Sequence, residues 1–232
     1  MKKSIQSIFL VLIMLAVLMS GCAPAPVPPT ITPTPIPPTF TPSPIPPTFT
    51  PEPTSTATQS QITIYEAPGN LESTQDIGCV PISDLKNTYT PPDLFKGMVE
   101  CLDQDNYSSA IFFFALAGTY AYYDTLRVAD STAYDALSVL IQQSLVSLNS
   151  TQKDAFQQEF QKTFGNPDNL PALCDELMRI GAPQYYPRYM IQHGMNAFAG
   201  GNSSDELVKG FDSDTAWIKS LDEYIHCPNL TP

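Results

Sequence analysis

The chain has 232 residues, of which 23 are acidic and 11 are basic, so its net charge is −12 at neutral pH. Only Lys2, Lys3 and Glu52 among these charges precede residue 62, which leaves residues 62–232 with a net charge of −13. A surface of this sign repels phosphate backbones, and this excludes nucleic acid as a partner.

The first residues have the pattern of an export signal. Lys2 and Lys3 form a short positive segment, and every residue from 8 to 19 is apolar. This run is too short to cross a bilayer, which takes about 20 apolar residues, but it is typical of a signal peptide. The run ends at the small residues Ser20 and Gly21, directly before a cysteine. The alternative is an ordinary secretory signal or an uncleaved anchor with an incidental cysteine.

The segment Met19-Ser20-Gly21-Cys22 resembles the lipobox of bacterial lipoproteins, with methionine where leucine is usual. The resemblance implies that residues 1–21 are a signal peptide that is removed. Cys22 then becomes the amino terminus and carries a diacylglyceryl group. Because more than one acyl chain anchors a protein stably, we expect attachment to the cell membrane or outer membrane, with the domain outside the cytoplasm.

Residues 22–61 form the lipidated cysteine and a tether rich in proline and threonine. Residues 23–61 hold 14 of the chain's 24 prolines, and the segment 32–40 is repeated at 41–49 with one Thr-to-Ser change. Proline fixes φ and lacks an N–H donor, so this stretch favours extended polyproline II with a reach of at most about 120 Å. The main interpretation is a spacer. A docking motif for proline-reading domains and a site of O-glycosylation are the alternatives.

Residues 62–232 are predicted to form one helical domain. Apart from a short β-like alternation at 62–65, residues 62–92 show no regular pattern. After Pro92, apolar residues recur at spacings of three and four, which predicts helices. These helices cover about 94–102, 107–123, 133–141, 150–164, 167–180, 187–199 and 213–225. Their predicted amino-terminal caps include Asn106, Asp130 or Ser131, Ser150 and Asn166, and their predicted ends include Gly165, Gly181 and Gly200.

The predicted fold class is all-α, an irregular array of about six to seven antiparallel helices. Short connections favour antiparallel hairpins like those of helical-repeat proteins, although no period near 34 residues recurs. The helix at 107–123 is apolar nearly all round, which predicts a buried helix. Gly118 and neighbouring alanines on this helix indicate that another helix approaches closely.

Four cysteines follow Cys22, at positions 79, 101, 174 and 227. An even number in an exported domain predicts two disulfides, for which three connectivities are possible. The cost of loop closure favours the nearer partners, Cys79–Cys101 and Cys174–Cys227. None of the spacings is C-x-x-C, and the sequence predicts neither a metal site nor a cofactor.

The segment 181–194 is the most distinctive in the domain. Tyr185, Tyr186, Arg188 and Tyr189 are residue types that often anchor protein interfaces, and His193 follows them. Together with 124–133, this segment is similar to a family of uncharacterised bacterial helical proteins. That resemblance implies a helical domain over about 93–227 and no particular activity. The alternative is that the tyrosines pack inward at the start of a helix.

The leading hypothesis is a non-enzymatic protein-binding domain, of which an immunity-type protein that neutralises a toxin is one form. The rival is a cell-envelope hydrolase in which His193 is a general base beside Asp124 or Asp130. Arg127 lies three residues from each carboxylate, so a structural ion pair is the simpler interpretation of these acids. The sequence contains no nucleophile elbow, phosphate loop or H-E-x-x-H pattern, which favours binding.

Overall fold

The computed structural model describes residues 67–199, 206–228 and 230. The predicted signal peptide, Cys22, the predicted tether and the β-like alternation at 62–65 lie outside these residues. In the described ranges the regular elements are helices and the remaining pairing is an isolated bridge between Val128 and Leu207, which confirms the all-α prediction. None of the helices in these ranges is long and apolar enough to cross a bilayer.

The described ranges contain eight α-helices, one more than the upper predicted number. They are α1 (Pro91–Asp103), α2 (Tyr107–Arg127), α3 (Ala136–Val146), α4 (Ser150–Phe164), α5 (Leu170–Ile180), α6 (Arg188–Ile191), α7 (Met195–Phe198) and α8 (Ser213–Ser220). A π-helical turn continues α8 over Leu221–Ile225, and 3-10 turns cover Ile82–Asp84 and Ser131–Ala133.

Helix α2 is the centre of the domain. Every residue from 110 to 121 is buried, as its apolar surface predicts. Helices α1, α3, α4 and α8 and the π-helical turn all contact it. The helices therefore pack around one central helix, and α4 makes its main contacts with α2, not with its chain neighbour α3.

The small residue in the middle of α2 permits one of these contacts. A Cβ atom at Gly118 would overlap the hydroxyl group and ring of Tyr224, which lies in the π-helical turn. The side chain of Tyr224 also lies near Tyr122, with 5.9 Å between their ring centroids. The predicted close approach to α2 is thus made by the π-helical turn.

Local sequence signals position most of the helix ends. Asn106 caps α2 by accepting a hydrogen bond from the backbone N–H of Ser109, and Gly165 and Gly181 follow the last residues of α4 and α5. The cap of α4 is Asn149, one residue before the predicted Ser150, because Asn149 and Gln152 form a reciprocal capping box.

Helix α5 begins later than predicted. Asn166 accepts a hydrogen bond from the backbone N–H of Asp168 within a turn, and the helix starts only at Leu170. The side chain of Asn166 therefore stabilises the turn that precedes the helix.

The single helix predicted at 187–199 is wrong, because it is interrupted at Gly194, whose backbone is extended. A Cβ atom there would overlap the Asp130 carboxylate, which accepts a hydrogen bond from the N–H of Asn196 at 3.1 Å. Thr132 Oγ1 accepts from the N–H of Met195 at 2.8 Å. These two side chains satisfy donors at the start of α7 that a continuous helix would satisfy internally.

Both disulfides have the pairing that loop closure favoured. Cys79–Cys101 joins the segment before α1 to the last turn of that helix. Cys174–Cys227 joins α5 to the residues that follow the π-helical turn. The four cysteines of the described domain are therefore all oxidised.

Candidate protein-binding surface

A buried carboxylate on α2 holds the segment 181–194 against the core. Asp124 is fully buried, and its Oδ2 accepts hydrogen bonds from the hydroxyl groups of Tyr185 at 2.9 Å and Tyr189 at 2.8 Å. Its Oδ1 accepts from Nε of Arg127 at 2.7 Å. The ion pair predicted for Asp124 and Arg127 is present, and it also fixes two of the five predicted binding residues.

The electrostatics of this cluster are those of a structural anchor. Burial raises the pKa of the Asp124 carboxyl above its ordinary value, although the charge of Arg127 and the tyrosine donors oppose that rise. Burial also raises the pKa of Tyr185 and Tyr189 well above the ordinary value, so both hydroxyl groups stay protonated and donate. The Arg127 guanidinium lies 5.1 Å from the ring centroids of Tyr123 and Tyr185, an additional cation–π stabilisation.

The five residues predicted for binding fall into two groups. Tyr189 is buried and Tyr185 is half-buried, and both donate their hydroxyl groups to the Asp124 carboxylate. Tyr186 and Arg188 are exposed. His193 is half-buried, with its Nδ1 2.9 Å from Oδ1 of Asn70. The segment therefore presents only part of the predicted set to a partner.

The acids proposed for a hydrolase have other partners. The Asp124 carboxylate accepts hydrogen bonds from Arg127, Tyr185 and Tyr189. Asp130 accepts hydrogen bonds from the N–H and hydroxyl groups of Thr132 and from the N–H of Asn196. Although slight burial raises the pKa of Asp130, these hydrogen bonds lower it below the ordinary value. Burial lowers the pKa of His193, and the nearby Asp135 carboxylate offsets this only in part. The structure does not bring His193 to either predicted carboxylate.

Exposed apolar side chains gather next to this segment. Six large apolar side chains are exposed in the described ranges, and four of them form what we call the apolar patch. Its members are Tyr134, Tyr186, Met195 and Val208, with exposed fractions of 39%, 52%, 63% and 42%. Isolated exposed apolar residues are common on monomeric proteins, so these four are grouped by the hydrogen bonds that connect them to one segment.

Hydrogen bonds connect every member of the patch to the segment 127–134, and Tyr186 is connected to it through Glu206. Tyr134 donates its hydroxyl group to the Val128 carbonyl at 3.1 Å, and the N–H of Met195 donates to Thr132. The N–H of Val208 donates to the Arg127 carbonyl at 2.8 Å. Tyr186 donates to the carboxylate of Glu206, whose own carbonyl accepts from the N–H of Ala129 at 3.0 Å. The patch therefore has one rigid support, which begins at the Asp124–Arg127 anchor.

The sequence did not identify three of the four patch residues. Met195 follows the apolar spacing of the predicted helix at 187–199, and only the break at Gly194 turns it outward. Val208 lies outside any helical pattern. Tyr134 does carry a signal, since it lies in the predicted helix at 133–141 but outside the apolar spacing that predicts this helix.

A groove of about 380 Å³ lies elsewhere, between α1, α3 and the segment 71–73. Its lining is largely apolar, and it includes Phe95 and Leu140. The Nζ of Lys96, at its edge, pairs with the Asp76 carboxylate at 3.1 Å. Its polar lining residues are Ser73, Lys96, Glu100, Gln143 and Ser144. No cluster of three potential metal ligands occurs within the described part of the chain.

No protein-family model matches the chain, and neither does any curated protein or any solved structure. The functional assignment therefore depends on the chain's own residues, namely the lipobox-like segment and the apolar patch with its buried anchor.

Proposed function

We propose that this protein is an extracytoplasmic lipoprotein, anchored through Cys22, whose helical domain binds another protein through the apolar patch. Three features support the location: the lipobox-like segment, the proline-rich spacer at 22–61 and the domain's two disulfides. Disulfides form and persist mainly in oxidising compartments outside the cytoplasm. An immunity-type protein that neutralises a toxin outside the cytoplasm is one form of this function.

The observation that carries the binding function is the grouping of exposed apolar side chains on one support. Tyrosine and methionine are enriched at protein interfaces, where they contribute large contact areas. The Asp124 anchor and the hydrogen bonds to 127–134 hold these side chains in position before a partner arrives. Such pre-organisation lowers the entropic cost of association.

The double substitution Tyr186→Ser with Met195→Ser tests the surface. We expect it to weaken capture of the partner at least about tenfold, because interface aromatic and methionine side chains each contribute on the order of 1–2 kcal/mol. The melting temperature should stay almost unchanged, since both side chains are exposed. Capture is measured by quantitative mass spectrometry of envelope proteins retained by the full-length, immobilised chain.

The matched control removes the two exposed apolar side chains that lie outside the patch. Val146→Ser with Met178→Ser deletes similar apolar area, since these residues are 76% and 42% exposed. The control should retain the same proteins as the unmodified chain. Equal retention by both double variants would contradict the assignment of the patch, and equal loss would indicate nonspecific apolar adsorption.

Cys22→Ala tests the anchor separately. Without the thiol there is no group to lipidate, so we expect an unprocessed precursor that carries no acyl chain. Metabolic labelling with a fatty acid, together with the mass of the mature chain, measures both properties. Cys79→Ala with Cys101→Ala is the control, because it also removes cysteines but should leave labelling intact. Normal processing and membrane retention of the Cys22→Ala chain would disprove the anchor.

A further inference from the structure

We propose that the partner is a basic protein, which presents an apolar side chain flanked by lysine or arginine to the apolar patch. This inference rests on the proposed protein-binding function and adds the chemistry of the partner. Its starting point is the charge of the segments that carry the patch.

Acidic residues outnumber basic ones in the segments that carry the patch. The segments 128–135, 186–195 and 206–214 contain five carboxylates and two cations: Asp130, Asp135, Glu206, Asp212 and Asp214 against Arg188 and Lys209. Four of these acids, all except Asp130, are exposed, and the carboxylate of Glu206 accepts the hydroxyl hydrogen of the patch residue Tyr186. The Glu206 carboxylate therefore lies directly beside the apolar patch.

The cation nearest to the support of the patch is not available to a partner. Arg127 is buried, and its charge is balanced by Asp124, with which it forms an ion pair at 2.7 Å. Arg188 is exposed, but it lies along Gly69, where a Cβ atom would come within 2.8 Å of its Nε. In the described ranges neither arginine is paired with an acid at the patch.

The charge of the whole domain acts in the same direction. Residues 62–232 carry a net charge of −13, so an approaching basic surface is attracted before contact and an acidic one is repelled. Charge complementarity of this kind raises association rates and excludes wrong partners, while apolar contacts supply much of the affinity. An apolar centre with an acidic edge fits a partner that has an apolar centre and a basic edge.

Selection of random linear peptides displayed on phage tests this chemistry. The full-length chain, solubilised in detergent, is the target, and the Tyr186→Ser/Met195→Ser chain is used to remove peptides that bind elsewhere. We expect the enriched peptides to carry net positive charge together with an aliphatic or aromatic residue. Binding of a synthetic peptide from this set should weaken as the salt concentration rises.

Charge variants separate local recognition from general attraction. Asp135→Asn with Glu206→Gln removes two charges at the patch, and we expect it to weaken peptide binding about tenfold. Asp154→Asn with Asp168→Asn removes two exposed charges outside the segments that carry the patch, and its effect should stay below about twofold. Equal losses from the two pairs would overturn the proposal, because binding would then reflect net charge alone.

Two further outcomes would also overturn it. Enriched peptides that need Tyr186 and Met195 but are neutral or acidic would reject the basic partner and leave the binding surface in place. Peptides that bind the Tyr186→Ser/Met195→Ser chain equally well would reject the surface itself, and with it the proposed function. Dimerisation of the unmodified chain that this double substitution abolishes would assign the patch to a second copy.

Discussion

Asp124→Ala should lower the free energy of unfolding by about 3–5 kcal/mol, because it leaves the buried Arg127 guanidinium without its counter-charge. The same change removes the acceptor for the hydroxyl groups of Tyr185 and Tyr189. An unsatisfied buried donor costs about 1–3 kcal/mol, so these losses act together with the unpaired charge. Urea denaturation of the full-length chain, followed by circular dichroism, measures the change.

A second variant isolates the contribution of the unpaired Arg127 charge to this loss of stability. Asp124→Ala combined with Arg127→Leu removes both ions, and we expect it to be more stable than Asp124→Ala alone by about 1–3 kcal/mol. Asp154→Ala, which removes an exposed carboxylate on α4, should change the stability by less than about 0.5 kcal/mol. A loss below about 1 kcal/mol in Asp124→Ala would show that solvent reaches the cluster and that Asp124 is not an anchor.

Asp93→Ala is expected to have the second-largest effect, a loss of about 3 kcal/mol in unfolding free energy. The buried Asp93 carboxylate accepts hydrogen bonds from the hydroxyl group of Ser73 at 2.9 Å and the N–H groups of Thr74 and Gln75 at 2.7 and 2.9 Å. It also accepts from the N–H and hydroxyl groups of Thr90 and completes the cap of α1. Alanine removes all five acceptor contacts at once.

Besides lowering the unfolding free energy of the domain, Asp93→Ala should release the segment 73–75 locally. Once the segment 73–75 has lost its acceptor, the neighbouring Glu72 should become an early cleavage site for a glutamate-specific protease. The Asp93→Asn chain retains one acceptor oxygen and should lie between alanine and the unmodified chain in both assays. If Asp93→Ala destabilises the domain without faster cleavage at Glu72, the segment 73–75 is held by other contacts.

Much of the fold could be predicted because its signals are local. The apolar circumference of α2 indicates a buried central helix, and Asn106 and Gly181 delimit helices through contacts within a few residues. The disulfide pairing follows the shorter loops. The break at Gly194 could not be predicted, because it depends on Asp130, which is distant in sequence.

Only part of the candidate site could be predicted from the sequence, because it too depends on residues that are distant in sequence. Tyrosine is common both at interfaces and in buried positions, so the residue types of Tyr185 and Tyr189 do not indicate whether they face the core or solvent. The answer depends on the Asp124 carboxylate, which is remote in sequence and whose burial becomes evident only when α2 is central. Tyr186 was identified by its residue type alone, whereas its neighbours in the patch come from three separate parts of the chain.

The disulfide between Cys79 and Cys101 also determines how the domain responds to mechanical load. Tension on the chain before Ala67 would first strain the contact of Asn70 with His193 and the hydrogen bond from the N–H of Leu71 to the Tyr189 carbonyl, and then the contacts of Asp93 with 73–75. Tension that reaches Cys79 passes through the disulfide to Cys101, so residues 80–100 are not extended. The disulfide therefore shields the greater part of α1 from a load on the amino-terminal side of the domain, and the load passes next to the residues between α1 and α2.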